Sequence, residues 1–184
     1  SPEELTVWTI LRHAPPLPFL PAEVHGKPII ALALMYLGDP KKGESLIEPL
    51  RKFGKALGEH IGVQPYVAWQ QAFDPLLTAG ARNYWKSHNF STLQDELFDV
   101  AIEQIQKAPS PQCEVFFASI GGATARPASD ATAYSHRDTQ YIMNVHGRWD
   151  EVGEDARCIN WARDCFNASA PFASGGVYVN FLTA

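Results

Sequence analysis

The spacing of apolar and polar positions changes several times along this chain, and each change marks an element. Leu5 to Arg12 alternates, with Leu5, Val7, Thr9 and Leu11 on one side and Thr6, Trp8, Ile10 and Arg12 on the other, which is the two-residue period of a strand. Ile29 to Leu37 is apolar throughout and ends at Gly38-Asp39-Pro40, a pattern that predicts a central strand buried on both faces. Between them lie Pro15, Pro16, Pro18, Pro21 and Pro28, which cannot ladder and so predict a semi-rigid loop over residues 14–28. Asp39 as cap and Pro40 at the first position open a helix that Leu46, Ile47, Leu50, Phe53 and Leu57 continue, with Pro49 expected to bend or break it.

Residues 65–80 read as a short helix or irregular segment carrying Tyr66, Trp69 and Phe73. Asn83 to Ser87 predicts a strand. Ser91 with Gln94 forms a capping box for a helix reaching about Lys107, whose buried face is Leu97, Ala101 and Ile105. Cys113 to Ile120 predicts a strand closed by Gly121-Gly122, Tyr134 to Trp149 a long strand, and Asp155 to Phe166 a helix. Gly175-Gly176 releases a last strand, Val177 to Leu182. The order is met best by a single α+β domain over residues 1–184, a mostly antiparallel β-sheet with helices packed on one face.

Composition adds exclusions. With 184 residues, 46% hydrophobic, the chain can bury a sizeable core, and its formal charge of −5 offers no basic stripe to a nucleic acid or an anionic membrane. No apolar run approaches the roughly 20 residues that cross a bilayer, and no leader is read at the start, so a cytoplasmic location is expected. Cys113, Cys158 and Cys165 lack C-x-x-C spacing and are expected to be reduced and buried; no residue set has the spacing of metal ligands. Asn89-Phe90-Ser91 and Asn167-Ala168-Ser169 match the glycosylation sequon, a tripeptide short enough to recur by chance. The chain starts at a serine and stops directly after a strand-like run, and is expected to be a portion of a longer polypeptide.

Three polar clusters are candidates for chemistry. On the last predicted strand, Val177, Val179 and Phe181 share one face, while Tyr178 and Asn180 on the other present a phenol and an amide to a polar ligand or to solvent. In Ser135-His136-Arg137-Asp138, strand spacing would point His136 and Asp138 one way and Arg137 with Tyr141 the other. In Tyr84-Trp85-Lys86-Ser87, Lys86 shares a face with Tyr84 and offers positive charge to an anion or phenolate. Hydrolysis by a His136-Asp138 pair finds no partner nucleophile in the sequence.

Four segments together carry a family likeness: Gly175-Gly176-Val177-Tyr178-Val179-Asn180-Phe181, Ala131-Thr132-Ala133-Tyr134-Ser135-His136-Arg137, Ala81-Arg82-Asn83-Tyr84-Trp85-Lys86-Ser87 and Trp161-Ala162-Arg163. In order and spacing they resemble the berberine bridge enzyme-like, FAD-linked oxidases of the vanillyl-alcohol oxidase superfamily, with the likeness running from Glu4 to the end of the chain. The resemblance implies the substrate-binding domain of such an enzyme. In that family an N-terminal flavin domain precedes the sheet and a C-terminal segment returns to it, so FAD would be bound mainly by parts outside this chain, along with any covalently attaching His or Cys. The implied reaction is hydride transfer from an alcohol, sugar or related C–H substrate to the flavin.

Also by resemblance, Tyr178 is the first candidate for a base or substrate anchor and Asn180 for a cofactor contact. His136, Arg137, Tyr141, Lys86 and Tyr84 are candidates for substrate binding. A phenol needs a nearby cation to act as a base at neutral pH, and Arg137 or Lys86 could provide it. Many members carry a second Tyr after the Asn; here that position is Phe181, which accepts no proton. The implied partners are a small-molecule substrate and the FAD-binding domain of the same polypeptide. The fragment alone is expected to be inactive and to self-associate through its uncovered sheet face. The competing reading is a non-catalytic α+β binding or dimerisation module.

Overall fold

A computed structural model describes residues 2–183. Five strands form one antiparallel sheet: β1 (Leu5–His13), β2 (Pro28–Tyr36), β3 (Arg82–Phe90), β4 (Glu114–Ser119) and β5 (Tyr141–Trp149), in the order β2-β1-β4-β5-β3. Four α-helices accompany it: α1 (Pro40–Arg51), α2 (Tyr66–Gln71), α3 (Asp95–Gln106) and α4 (Asp155–Ser169). β1 and β2 are joined by the proline-rich loop, whose neck is tied by Ala14 N to Lys27 O and Gly26 N to Ala14 O, both at 2.8 Å. The fold class is the α+β arrangement expected from the order of elements.

The core lies between the sheet and the pair α3 and α4. Leu97, Ala101 and Ile105 of α3 and Cys158, Trp161, Ala162 and Cys165 of α4 are buried against Leu11, Val115, Phe117, Met143 and Val145. Gly147 of β5 lies beneath α4, where a Cβ would crowd Tyr84 O of the paired strand at 3.0 Å while meeting Cys158 O of the helix at an ordinary 3.6 Å. The three cysteines are buried free thiols, and Asn89 of the first sequon is fully buried in β3. Among the described residues no helix is long and apolar enough to cross a membrane.

Several boundaries depart from the sequence expectation. β2 is a strand but an edge strand, paired only with β1, and Ile30 and Leu32 are exposed because α3 and α4 do not reach over it. Asp39 does cap α1, accepting from Lys41 N at 3.0 Å, but the helix ends at Arg51, two residues after Pro49, so Phe53 and Leu57 lie outside it. The Ser91-Gln94 box does not form: β3 runs on to Phe90, the turn consumes the following residues, and Gln94 caps α3 without a side-chain bond. Asp95 and Glu96 in its first turn complement the helix dipole instead.

Two corrections bear on function. β5 begins at Tyr141, so residues 134–140 are not strand and the alternation expected for His136, Arg137 and Asp138 does not apply. Residues 177–182 are not a strand either. Gly175 and Gly176, at φ of 91° and 73°, turn the chain, and Val179–Phe181 form a single 3₁₀ turn closed by Phe181 N to Tyr178 O at 2.9 Å. The chain meets the β3 edge on either side of that turn: Ser174 N donates to Asn89 O at 2.9 Å, and Thr183 N donates to Trp85 O at 3.0 Å while its hydroxyl accepts from Trp85 N at 3.0 Å.

Candidate functional site

Strand alternation divides the side chains between two faces. Positions in phase with Leu11, Val115, Met143 and Val145 meet the helices; the others form a second face with no helix layer. That second face carries Asn83, Ser87 and Asn89 from β3, Asn144 and His146 from β5, and Glu114 from β4.

A polar network crosses it. Arg12 Nη1 lies 2.9 Å from Glu114 Oε2, and Glu114 Oε1 lies 3.3 Å from His146 Nδ1. His146 Nε2 is 3.0 Å from Asn83 Oδ1, while Asn83 Nδ2 donates to Ala81 O at 2.8 Å. Each ring nitrogen of His146 therefore faces an acceptor oxygen. Burial pushes the Glu114 carboxyl up, but the His146 contact and the nearby Arg12 and Arg148 outweigh it and hold Glu114 below the usual carboxylate range. Arg148 is anchored to Gln112 Oε1 at 2.9 Å and to Thr78 O at 2.5 Å.

Beside this network, Ser87 opposes Asn144 across the β3–β5 pair, with Asn89 two residues along. All three are fully buried, yet Ser87 Oγ and both polar atoms of each Asn make no hydrogen bond among the described residues. Buried polar atoms are costly to leave unpaired, so water or a bound group has to meet these five atoms.

An aromatic strap lies over the same face. Trp8 stacks on Phe116 with centroids 5.1 Å apart, Phe181 sits 5.5 Å from Phe116 and 5.9 Å from Trp85, and Tyr178 lies 4.9 Å from Phe181. Tyr134 continues the row 5.9 Å from Tyr178. Phe181 thus belongs to the cover of the helix-free face, while Val179, expected beside it in the core, is exposed. Asn180 Nδ2 donates to Tyr178 Oη at 2.8 Å. His136 packs on Gly176, where a Cβ would lie 2.4 Å from the ring, and Arg137 places its guanidinium 5.2 Å from the Tyr134 ring centre. Burial pushes the Tyr134 phenol up from its ordinary value.

Tyr178, Asn180, His136 and Arg137 are therefore gathered in one place. Tyr84, Lys86 and Tyr141 are not. They are in phase with Met143 and lie on the helix-covered face, since β3 and β5 present alternate residues there. Tyr84 Oη accepts from Arg163 Nε at 3.1 Å, and Lys86 Nζ is 5.1 Å from its ring centre. Burial would push the Tyr84 phenol up, but Arg163 and Lys86 more than offset that and hold it below its ordinary value. Lys86 is thus committed to Tyr84 and to Thr183 O at 3.4 Å, and Arg137 is the cation on the side of Tyr178. Asp138 is exposed and makes no pair with His136. The sequence reading passed over Glu114, His146, Asn83, Asn89 and Asn144, although the alternation Asn144, His146, Arg148 within Tyr141–Trp149 is a legible signal of a second polar face.

No family model matches the sequence. Among curated proteins it is 26% identical over 167 residues to the uncharacterized FAD-linked oxidoreductase YgaK of Bacillus subtilis (strain 168), a match covering 89% of this chain and 36% of that protein. Its fold matches berberine bridge enzyme from Eschscholzia californica with a TM-score of 0.74 at 16% identity, over 98% of this chain and 38% of that one. It matches GilR, an oxidoreductase of gilvocarcin biosynthesis solved with pregilvocarcin, with a TM-score of 0.75 at 19% identity, over 98% of this chain and 38% of that one. The chain has the fold seen in these oxidoreductases, and in sequence it resembles an FAD-linked oxidoreductase, YgaK. It spans little more than a third of the length of each.

Proposed function

We propose that this chain is the substrate-side part of an FAD-linked oxidoreductase acting on an alcohol, sugar or related C–H substrate, with the flavin held mainly by another domain of the same polypeptide. The observation that carries this reading is the helix-free face itself: a buried row of unpaired Ser and Asn side chains beside a strap that displays Tyr178 and Asn180. The residues fit such a cofactor in kind, because Trp85, Phe181 and Tyr178 offer aromatic surface and Asn180 an amide to a flat ring with a polar edge. When bound, the flavin supplies the hydride acceptor.

This chain's own contribution is orientation and proton removal. Tyr178 is the group that holds a substrate hydroxyl or takes its proton, and Arg137, beyond Tyr134, places a positive charge in the same cluster. Asn180 fixes the phenol's direction through its hydrogen bond. His136 braces the turn at Gly176 that sets the strap. Phe181 takes no part in proton transfer and supplies packing.

Rapid-mixing measurement of flavin reduction in the full-length polypeptide tests the assignment. Tyr178→Phe should slow reduction by about a hundredfold or more, the range of a positioned acid–base group. An unchanged rate removes Tyr178 from the mechanism.

A further inference from the structure

Two of the three buried thiols are neighbours, although they come from elements far apart in sequence. β4 and β5 pair Glu114 with His146, so one step back Cys113 stands opposite Gly147. Its thiol donates to Arg148 O at 3.6 Å, which holds it over that end of β5. Gly147 carries no side chain, and Cys158 O of α4 lies above it, 3.6 Å from where a Cβ would stand. The helix therefore meets the sheet here through Cys158. Across the space that the glycine leaves open, the Cys113 and Cys158 thiols come into side-chain contact.

A single buried cysteine is an ordinary small core residue. A pair in contact, drawn from a strand and a helix, is what a cross-link between them requires. Cys165 supplies the contrast. It lies two helical turns further along α4, about 10 Å from Cys158 at 1.5 Å per residue, beyond the reach of a disulfide, and its neighbour is Ser169.

We propose that Cys113 and Cys158 are a disulfide site, closed by thiol–disulfide exchange with a small disulfide oxidant of the glutathione kind. One cysteine thiolate attacks the S–S bond of the oxidant and releases a thiolate; the other cysteine attacks the resulting mixed disulfide and releases the second. Two protein thiols are oxidised, one oxidant disulfide is reduced to two thiols, and the protons of the cysteines pass to the departing thiolates. Both cysteines are fully buried beneath α4, so exchange waits on the opening of that layer, in the folding chain or when α4 lifts. The bond then joins the start of β4 to α4 and closes a loop over residues 114–157, which holds Tyr134, His136, Arg137, Asn144 and His146. It restricts the unfolded chain and so favours the folded one, without touching any of those side chains.

The test incubates the full-length polypeptide with oxidised glutathione in urea just below its unfolding midpoint, where the helices open transiently. The urea is removed, the protein is alkylated in denaturant, and its peptides are mapped by mass spectrometry. The expected product is a peptide pair joined through Cys113 and Cys158, two hydrogens lighter than the two reduced peptides together, with Cys165 alkylated. The oxidised protein should unfold at higher urea than the reduced protein, and Cys158→Ala should abolish that difference. If Cys158→Ala does not fold, the peptide map and the two midpoints of the wild type decide alone. Cys113 and Cys158 both recovered alkylated overturn the proposal, as do glutathione adducts that persist on either without closing, or a link made through Cys165. A Cys113–Cys158 link that fails to raise the midpoint also overturns it, because the native packing would then not accept the bond. None of these readouts depends on flavin chemistry, so they stand or fall apart from the function proposed above.

Discussion

The side-chain amide of Asn180 donates to the hydroxyl of Tyr178 at 2.8 Å, two residues away across a single 3₁₀ turn. The bond uses one lone pair of the phenol and leaves its proton free to point elsewhere. If Asn180 acts by aiming that phenol, Asn180→Ala should lower the rate of flavin reduction by up to about tenfold, the worth of one hydrogen bond. In a Tyr178→Phe background the same change should have no further effect. Additive losses in this double-mutant cycle would show that Asn180 acts independently of Tyr178.

His88 should make the fold sensitive to mild acid. Its ring stacks on Phe166 at 3.9 Å, Nε2 lies 2.9 Å from Phe166 O, and burial lowers its pKa. A histidine with a depressed folded pKa binds its proton more readily when unfolded, so its contribution is complete above about pH 6.5 and is lost as pH falls below that. Glu114, also depressed, adds a second loss at lower pH, below the ordinary carboxylate value. Urea unfolding across pH should therefore show stability falling in two stages. His88→Phe should remove the upper stage; its persistence would assign that stage to another group.

Cutting the network at its centre should be expensive. Glu114→Leu leaves Arg12 and His146 without their shared carboxylate in a largely buried position, a change expected to cost about 3 to 5 kcal/mol. Glu114→Gln, which keeps an acceptor, should cost less. Equal midpoints for the two variants in chemical denaturation would mean that the carboxylate charge is immaterial.

Gly176→Ala should disturb the strap without touching the core. The new methyl group would meet the His136 ring at 2.4 Å on a backbone with φ of 73°. Left-handed backbone alone costs an alanine on the order of 1 kcal/mol. The near-ultraviolet signal of Tyr134 and Tyr178 should change while the helix content does not. Loss of helix would place Gly176 in the core of the fold.

The cysteines should be silent in the native protein. Cys158 and Cys165 are each pushed up to about 12 by burial, and Cys113 is raised for the same reason. A thiol reagent should label none of them until the chain is unfolded. Rapid labelling in buffer would mean that the layer formed by α3 and α4 opens readily.

What could be read in advance depended on how local the cause was. The alternation of β1, the cap at Asp39 and the apolar stripe of α3 are settled by neighbours in sequence, and they lie where the pattern puts them. The edge position of β2 was not legible, because a continuous apolar run looks the same whether helices reach over it or stop short. Val177 to Leu182 failed for a different reason. Its alternation is real, but two glycines at positive φ send it across the sheet, where Phe181 finds Phe116 and Trp85. Tyr178, Asn180, His136 and Arg137 still came together, since that clustering depends on where the loops meet and not on strand spacing. Tyr84 and Lys86 shared a face as expected, but only the register of β3 against β5 could say which face it was.

The two ties at β3 bracket the turn that carries Tyr178 and Asn180. Ser174 N bonds Asn89 O before that turn and Thr183 N bonds Trp85 O after it, so the strap is moored at both ends to one strand. Any movement of β3 would carry the phenol with it, and the buried Ser and Asn row and the strap must shift as one piece.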